Sequence, residues 1–168
     1  MADIYLDIAD FYANQQETEK SLSHYEQALS ICEQINSKEK VADILYSIGK
    51  LHYNNNNFIE VLWPYEKAPS ILNQLIAEQS KKRYYEKMAT IYFDIAGFHH
   101  QVKEFQEVLP FYQKALKIRI ALFGQNNLEV AAVCKSMANF HKEHLYYPES
   151  LSLYERVLAI KKCRLSAR

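Results

Sequence analysis

The segment Leu22-Ser-His-Tyr-Glu-Gln-Ala-Leu-Ser-Ile31 decides the fold, because the chain writes it three more times. The copies are Leu62-Trp-Pro-Tyr-Glu-Lys-Ala-Pro-Ser-Ile71, Leu109-Pro-Phe-Tyr-Gln-Lys-Ala-Leu-Lys-Ile118 and Leu151-Ser-Leu-Tyr-Glu-Arg-Val-Leu-Ala-Ile160. Their shared skeleton is Leu-x-x-Tyr-x-x-(Ala/Val)-x-x-Ile. Apolar residues at i, i+3 and i+6 or i+7 trace one stripe of an α-helix. The tyrosines stand at 25, 65, 112 and 154, so the chain repeats with periods of 40, 47 and 42 residues. A period of that length is the mark of a helical array whose units bury their apolar faces on one another.

Working outward, a second pattern precedes each copy. Ile8-Ala9-Asp-Phe11-Tyr12, Ile48-Gly49-Lys-Leu51-His52, Ile95-Ala96-Gly-Phe98-His99 and Met137-Ala138-Asn-Phe140-His141 share apolar-small-x-apolar-aromatic. Each begins 14 positions before its skeleton leucine. The small residues Ala9, Gly49, Ala96 and Ala138 predict helix axes that cross closely there, with Ala28, Ala68 and Ala115 answering from the second helix and Val157 slightly bulkier. Tyr25, Tyr65, Tyr112 and Tyr154 would fill the remaining space and carry a hydroxyl to a polar rim. Polar turns such as Asn54-Asn-Asn-Asn57 join the helices, and Asn tolerates the left-handed conformation that Gly usually supplies.

Together these residues resemble the tetratricopeptide repeat, in its longer kinesin-light-chain-type variant. The closest stretch runs from Tyr112-Gln-Lys-Ala through Gly124 to Leu128-Glu-Val-Ala131. The resemblance implies an all-α solenoid of four helix–turn–helix repeats, roughly 1–36, 37–79, 80–125 and 126–168, built as a single domain from eight antiparallel helices. Where the family expects glycine at the turn within each repeat, this chain has Gln16, Asn56, Lys103 and Leu145. Pro148 and Pro110 fall near helix starts, where proline is tolerated. Pro69 falls in a helix interior and predicts a kink in the second helix of repeat 2. On the last helix, Leu151, Tyr154 and Leu158 are expected to pack backwards, leaving Leu153, Val157 and Ile160 uncovered.

Composition limits the function. Twenty Lys+Arg offset twenty Asp+Glu, 49% of residues are apolar, and Gly (3) and Pro (4) are scarce. Such a chain buries a core and is neither disordered nor a turn-rich β protein. Zero net charge argues against a coat for nucleic acid or anionic membrane. The zero is uneven: residues 1–60 hold ten acids and four lysines, a net of −6, and the remainder carries +6. No apolar run reaches membrane-span length, and the acidic start, Met1-Ala-Asp3, lacks a signal peptide's basic region. Cys32, Cys134 and Cys163 are isolated, which suits a reducing, cytoplasmic setting.

No phosphate loop, nucleophile elbow or zinc motif is present, so neither an enzyme nor a cofactor is expected. The one cluster that could carry chemistry is His141-Lys-Glu143-His144, whose imidazoles at i, i+3 could share a metal or serve hydrolysis. Against that, His52, His99 and His141 occupy the repeat position of Tyr12, which marks them as aromatic filler.

The resemblance implies a different site. In this family the first helices line a concave surface that holds a segment of a partner protein. Mapped by phase, that surface comprises Leu6, Asp10, Asn14, Tyr46, Lys50, Tyr53, Asn54, Phe93, His100, Gln101, Lys135, Asn139 and Lys142. Asn14, Asn54 and Gln101 recur at one position, and an amide can pair with peptide backbone both as donor and as acceptor. Tyr46, Tyr53 and Phe93 would receive apolar anchors, and Lys50, Lys135 and Lys142 would meet carboxylates. The expected function is therefore a protein-interaction scaffold binding a protein or peptide. A head-to-tail assembly of the chain with itself, driven by its oppositely charged ends, is the alternative.

Overall fold

The computed structural model describes residues 1–166. Among them run eight α-helices and no strand: α1 (Ala2–Asn14), α2 (Thr18–Gln34), α3 (Lys38–Asn54), α4 (Leu62–Glu78), α5 (Lys82–Gln101), α6 (Phe105–Phe123), α7 (Leu128–Glu143) and α8 (Tyr147–Ser166). The all-α helical-repeat fold expected from the periodicity is present. The chain forms two compact units, Met1–Tyr84 and the residues from Tyr85 onward.

In the first unit α1 packs on α2, α2 on α3, and α3 on α4. The deepest contacts lie where the small residues predict them. Ala9, Ala28 and Ala68 are fully buried, and Gly49 is closest of all: a Cβ built there would lie 2.4 Å from the ring of Tyr65. Tyr65 is itself buried whole, hydroxyl included, so its ring cannot swing away. In the second unit α7 packs on α6 and on α8. Ala96, Val108, Tyr112, Val133, Met137 and Phe140 form one core cluster there, and Val130, Ala131, Cys134, Val157 and Ile160 another.

One core position went unnoticed in the sequence. The residue before each skeleton leucine (Ser21, Val61, Val108, Ser150) is buried in all four repeats. In repeats 1 and 4 its hydroxyl is satisfied by the carbonyl of the small residue opposite: Ser21 Oγ donates to Ala9 O and Ser150 Oγ to Ala138 O, each at 2.9 Å. In repeats 2 and 3 valine fills the same space without a polar group to satisfy.

The four turns inside the repeats are alike. Gln16, Asn56, Lys103 and Leu145 all adopt φ between 57° and 65°. The following amide then reaches back to a helix carbonyl: Glu17 N to Tyr12 O, Asn57 N to His52 O, Glu104 N to His99 O and Tyr146 N to His141 O, at 2.9–3.0 Å. This is the Schellman closure, which satisfies carbonyls a helix end otherwise leaves unpaired. The chain adopts it without glycine.

Two expectations are corrected. α4 runs unbroken from Leu62 to Glu78 with Pro69 inside it, so no interruption marks that proline. Pro69 forfeits one hydrogen bond, but buried Tyr65, Ala68, Leu72 and Leu75 hold the helix on both sides of it. Proline acts instead at the helix start. α4 begins at Leu62, four residues after Phe58, the counterpart of the residues that open α2, α6 and α8, and so Pro64 falls in its first turn. The second correction concerns α8. Val157 and Ile160 are buried and Leu153 packs against both clusters, whereas Leu151 and Leu158 are exposed at 60% and 52%. The inward stripe of α8 starts at Ser150, one residue earlier than the skeleton suggests, which turns the leucines outward.

Candidate functional site

Five of the predicted groove residues meet in the first unit. Asp10 and Asn14 are one turn apart on α1, and Tyr46, Lys50 and Asn54 follow one another at i, i+4, i+8 on α3, so each set shares a helix face. They line one hollow of about 690 Å3, completed by Ala13, Gln16, Tyr25, Ser47, Leu51 and Asn55. Asp10, Asn14, Lys50 and Asn54 are exposed and Tyr46 is half-buried. Leu6 and Tyr53, both half-buried, lie on the same two helices outside that lining.

The hollow is polar and its groups are oriented. The Tyr25 hydroxyl donates to the Asp10 carboxylate. Burial, followed by this bond, pushes the Tyr25 phenol far above its ordinary range, so it stays a donor at neutral pH. The Tyr46 ring stacks on Tyr65 with centroids 6.2 Å apart, which fixes its plane at the wall. Asn55 donates to Leu51 O at 2.8 Å and holds the end of α3. One carboxylate, one ammonium and the exposed amides of Asn14, Gln16, Asn54 and Asn55 can together pair with main chain and with a single charge of either sign.

In the second unit the predicted residues are more engaged in packing. The ring of Phe93 meets Tyr112 at 5.4 Å and lies 5.0 Å beneath the Arg119 guanidinium. His100 Nε2 pairs with Glu143 at 2.8 Å while its ring sits against Phe140 and Phe105. Asn139 accepts from the Tyr154 hydroxyl at 2.5 Å, the counterpart of the Tyr25–Asp10 bond. Gln101, Lys135 and Lys142 are exposed.

Arg119 was not anticipated as a special residue. It is 7% exposed and stands where repeats 1 and 2 have Cys32 and Leu72. Its Nη1 donates to Glu129 O at 3.1 Å, and burial lowers its pKa against the opposing charge of Glu129. With Glu86, Thr90, Phe123, Asn127 and Glu129 it lines a second hollow of about 420 Å3. A charged residue interrupting an apolar column is the sequence signal that could have found it.

The histidines separate. His144 Nδ1 donates to Phe140 O at 2.8 Å and its ring packs on Phe140 and Phe105, while His141 stands edge-on to Tyr146. Among the described residues no three His, Cys, Asp or Glu side chains gather to hold a metal. His52 and His99 are buried, and each ring nitrogen is held by the side chain five residues on, Asn57 and Glu104. Burial pushes the Cys32 and Cys134 thiols up, away from nucleophilic thiolate. No helix among the described residues is long and apolar enough to cross a membrane.

Comparison with known proteins agrees with the helical-repeat fold. The tetratricopeptide-repeat family model matches residues 1–73. None of the curated protein sequences compared with the chain matches it. Among solved structures, BtubC (BKLC) from P. vanneervenii is similar at 23% identity and a TM-score of 0.79, over 92% of this chain and 59% of that one. The Rap protein complexed with Competence and Sporulation Factor is similar at 16% identity and a TM-score of 0.75, over 95% of this chain and 42% of that one. A kinesin-light-chain-type protein of Podosopora anserina with nearly identical TPR-like repeats is similar at 15% identity and a TM-score of 0.69, over 95% and 74% of the two chains. The chain thus spans 59% and 42% of the first two, and at these identities the likeness is one of fold.

Proposed function

We propose that this chain, whose residues 1–73 match the tetratricopeptide-repeat family model, is an interaction scaffold holding a segment of a partner protein against the first helices of its repeats. The observation that carries the proposal is the hollow where Asp10, Asn14, Tyr46, Lys50 and Asn54 converge. Asn14 and Asn54 pair with the partner's main chain, Lys50 takes a carboxylate, and Tyr46 receives an apolar side chain. The donor from Tyr25 leaves Asp10 an acceptor for a backbone or basic N–H. Tyr53 stands beside that hollow on α3, and Phe93, His100, Gln101, Lys135, Asn139 and Lys142 are the first-helix positions that would serve the same role within the second unit. Because helices hold these groups, little conformational freedom is lost on binding. The reading assigns binding and no catalytic step. A similarly folded protein, Rap, is known in complex with a separate factor, which supports a binding role.

A peptide array probed with the wild-type chain tests the reading. Captured peptides should be enriched in acidic residues, and Lys50→Glu and the double variant Asn14→Ala/Asn54→Ala should each weaken capture about tenfold, equal to about 1.4 kcal/mol. Capture unchanged in both variants rejects this site.

A further inference from the structure

Two exposed apolar stripes, one on α1 and one on α8, correspond to the two halves of a contact the chain already makes inside itself. In α7, Val130, Val133, Met137 and Phe140 form the face that packs on α6, and the half-buried Leu109 and Leu116 of α6 lie against that cluster. The same repeat positions on α3 are Val41, Ile44, Ile48 and Leu51, and on α5 they are Met88, Ile91, Ile95 and Phe98; all are buried. On α1 they are Met1, Ile4, Ile8 and Phe11, and there Met1, Ile4 and Phe11 are exposed at 87%, 62% and 59%. The counterparts of Leu109 and Leu116 on α8 are Leu151 and Leu158, exposed like Leu165 one heptad further on.

We infer that the α8 face of one copy docks on the α1 face of a second copy, repeating the α6–α7 contact between chains. The apolar residues match position by position, so the occupant that fits each stripe is the other one. Charge agrees: α1 carries no Lys or Arg, and although Asp3 already pairs with Lys40 and Asp10 accepts from Tyr25, exposed Asp7 adds an acid to it, whereas the last turns of α8 carry Lys161, Lys162 and Arg164 and no acid. The two faces differ, so the contact is heterologous, and a docked copy still presents an α8 face to the next.

Sedimentation velocity across a wide range of protein concentration tests this, using the full chain. The wild type should rise from 19.7 kDa to at least twice that mass and continue past the dimer. Leu158→Glu and Ile4→Asp, each at an exposed position, should remain monomeric alone with unchanged helical circular dichroism. Mixed together they should form a dimer and stop there, because one retains only the α1 face and the other only the α8 face. A wild type that stays monomeric at every concentration overturns the inference. So does a single variant that still associates, or a mixture that stays monomeric or grows past the dimer.

Discussion

Single residues set the tolerances of this fold, and Gly49 is the tightest. On propensity alone, Gly→Ala inside a helix gains about 1 kcal/mol. Here the added methyl would meet the ring of Tyr65 at 2.4 Å, and that ring is buried with no room to yield. Overpacking of this kind costs about 1–3 kcal/mol, so Gly49→Ala should be net destabilising, read as a lower urea midpoint. A midpoint raised by the substitution would show that the helices separate freely there. The turns offer the opposite case. Leu145 holds φ at 64° with its side chain 69% exposed, so it bears the left-handed strain of about 1–2 kcal/mol without packing in return. Leu145→Gly should raise the melting temperature, offset in part by the extra freedom glycine has when unfolded. Asn56→Gly, replacing a residue that tolerates this conformation, should change it much less.

At the scale of the element, helices whose stripes are apolar and regular were legible, and departures arose where one residue outweighed the pattern. Pro64 moved the start of α4 to Leu62, and burial of Tyr65 and Leu72 carried the helix through Pro69. The phase of α8 departs from the skeleton because the leucine is conspicuous in sequence, while the buried partner before it is a serine whose role depends on a carbonyl one helix away. The five residues that meet in the first hollow came from laying the concave face implied by the family resemblance onto the helical phase of α1 and α3. The packing of His100 against Phe140 did not, since it depends on which neighbours α7 presents. Pro69→Ala should restore the missing N–H in α4. An interior proline costs about 3 kcal/mol relative to alanine, and the lost ring carbons return part of that, so a gain of roughly 1–2 kcal/mol is expected in thermal unfolding. His52, near the end of α3, makes its helix sensitive to acid. Burial holds its imidazole below the ordinary value, with the charge of Glu60 opposing more weakly, and its Nδ1 faces the Asn57 amide nitrogen. Above about pH 6.5 neither folded nor unfolded chain protonates this ring. Below it the unfolded chain takes up a proton that the folded chain resists, so stability falls as pH falls. His52→Tyr, which installs the residue found at this position in repeat 1, should lose less melting temperature than wild type between about pH 7.5 and about pH 5.5.

For the whole molecule, the balance of twenty cations and twenty anions is an average over unlike parts. Residues 1–84 hold twelve acids and eight bases, a net of −4, and residues 85–168 hold the complementary +4. Within one chain this asymmetry does little for stability, because exposed ion pairs such as Lys40–Asp3 are screened by solvent and salt. Between copies it acts at every approach, since the acidic α1 and the basic end of α8 belong to the opposing surfaces of the inferred contact. Exposed charges are screened beyond about 10 Å at 0.1 M salt, whereas burial of leucine and isoleucine is not weakened by salt. Association should therefore be strongest at low ionic strength and decline, without vanishing, as salt is added. Lys161→Glu/Lys162→Glu should reduce the mass seen at low salt while leaving Leu151 and Leu158 in place. At high salt the same variant should converge on the wild type, because screening has then removed the difference between them. A variant that remains equally impaired at high salt would mean that these lysines contribute by packing their stems, and the charge asymmetry would lose its part in assembly.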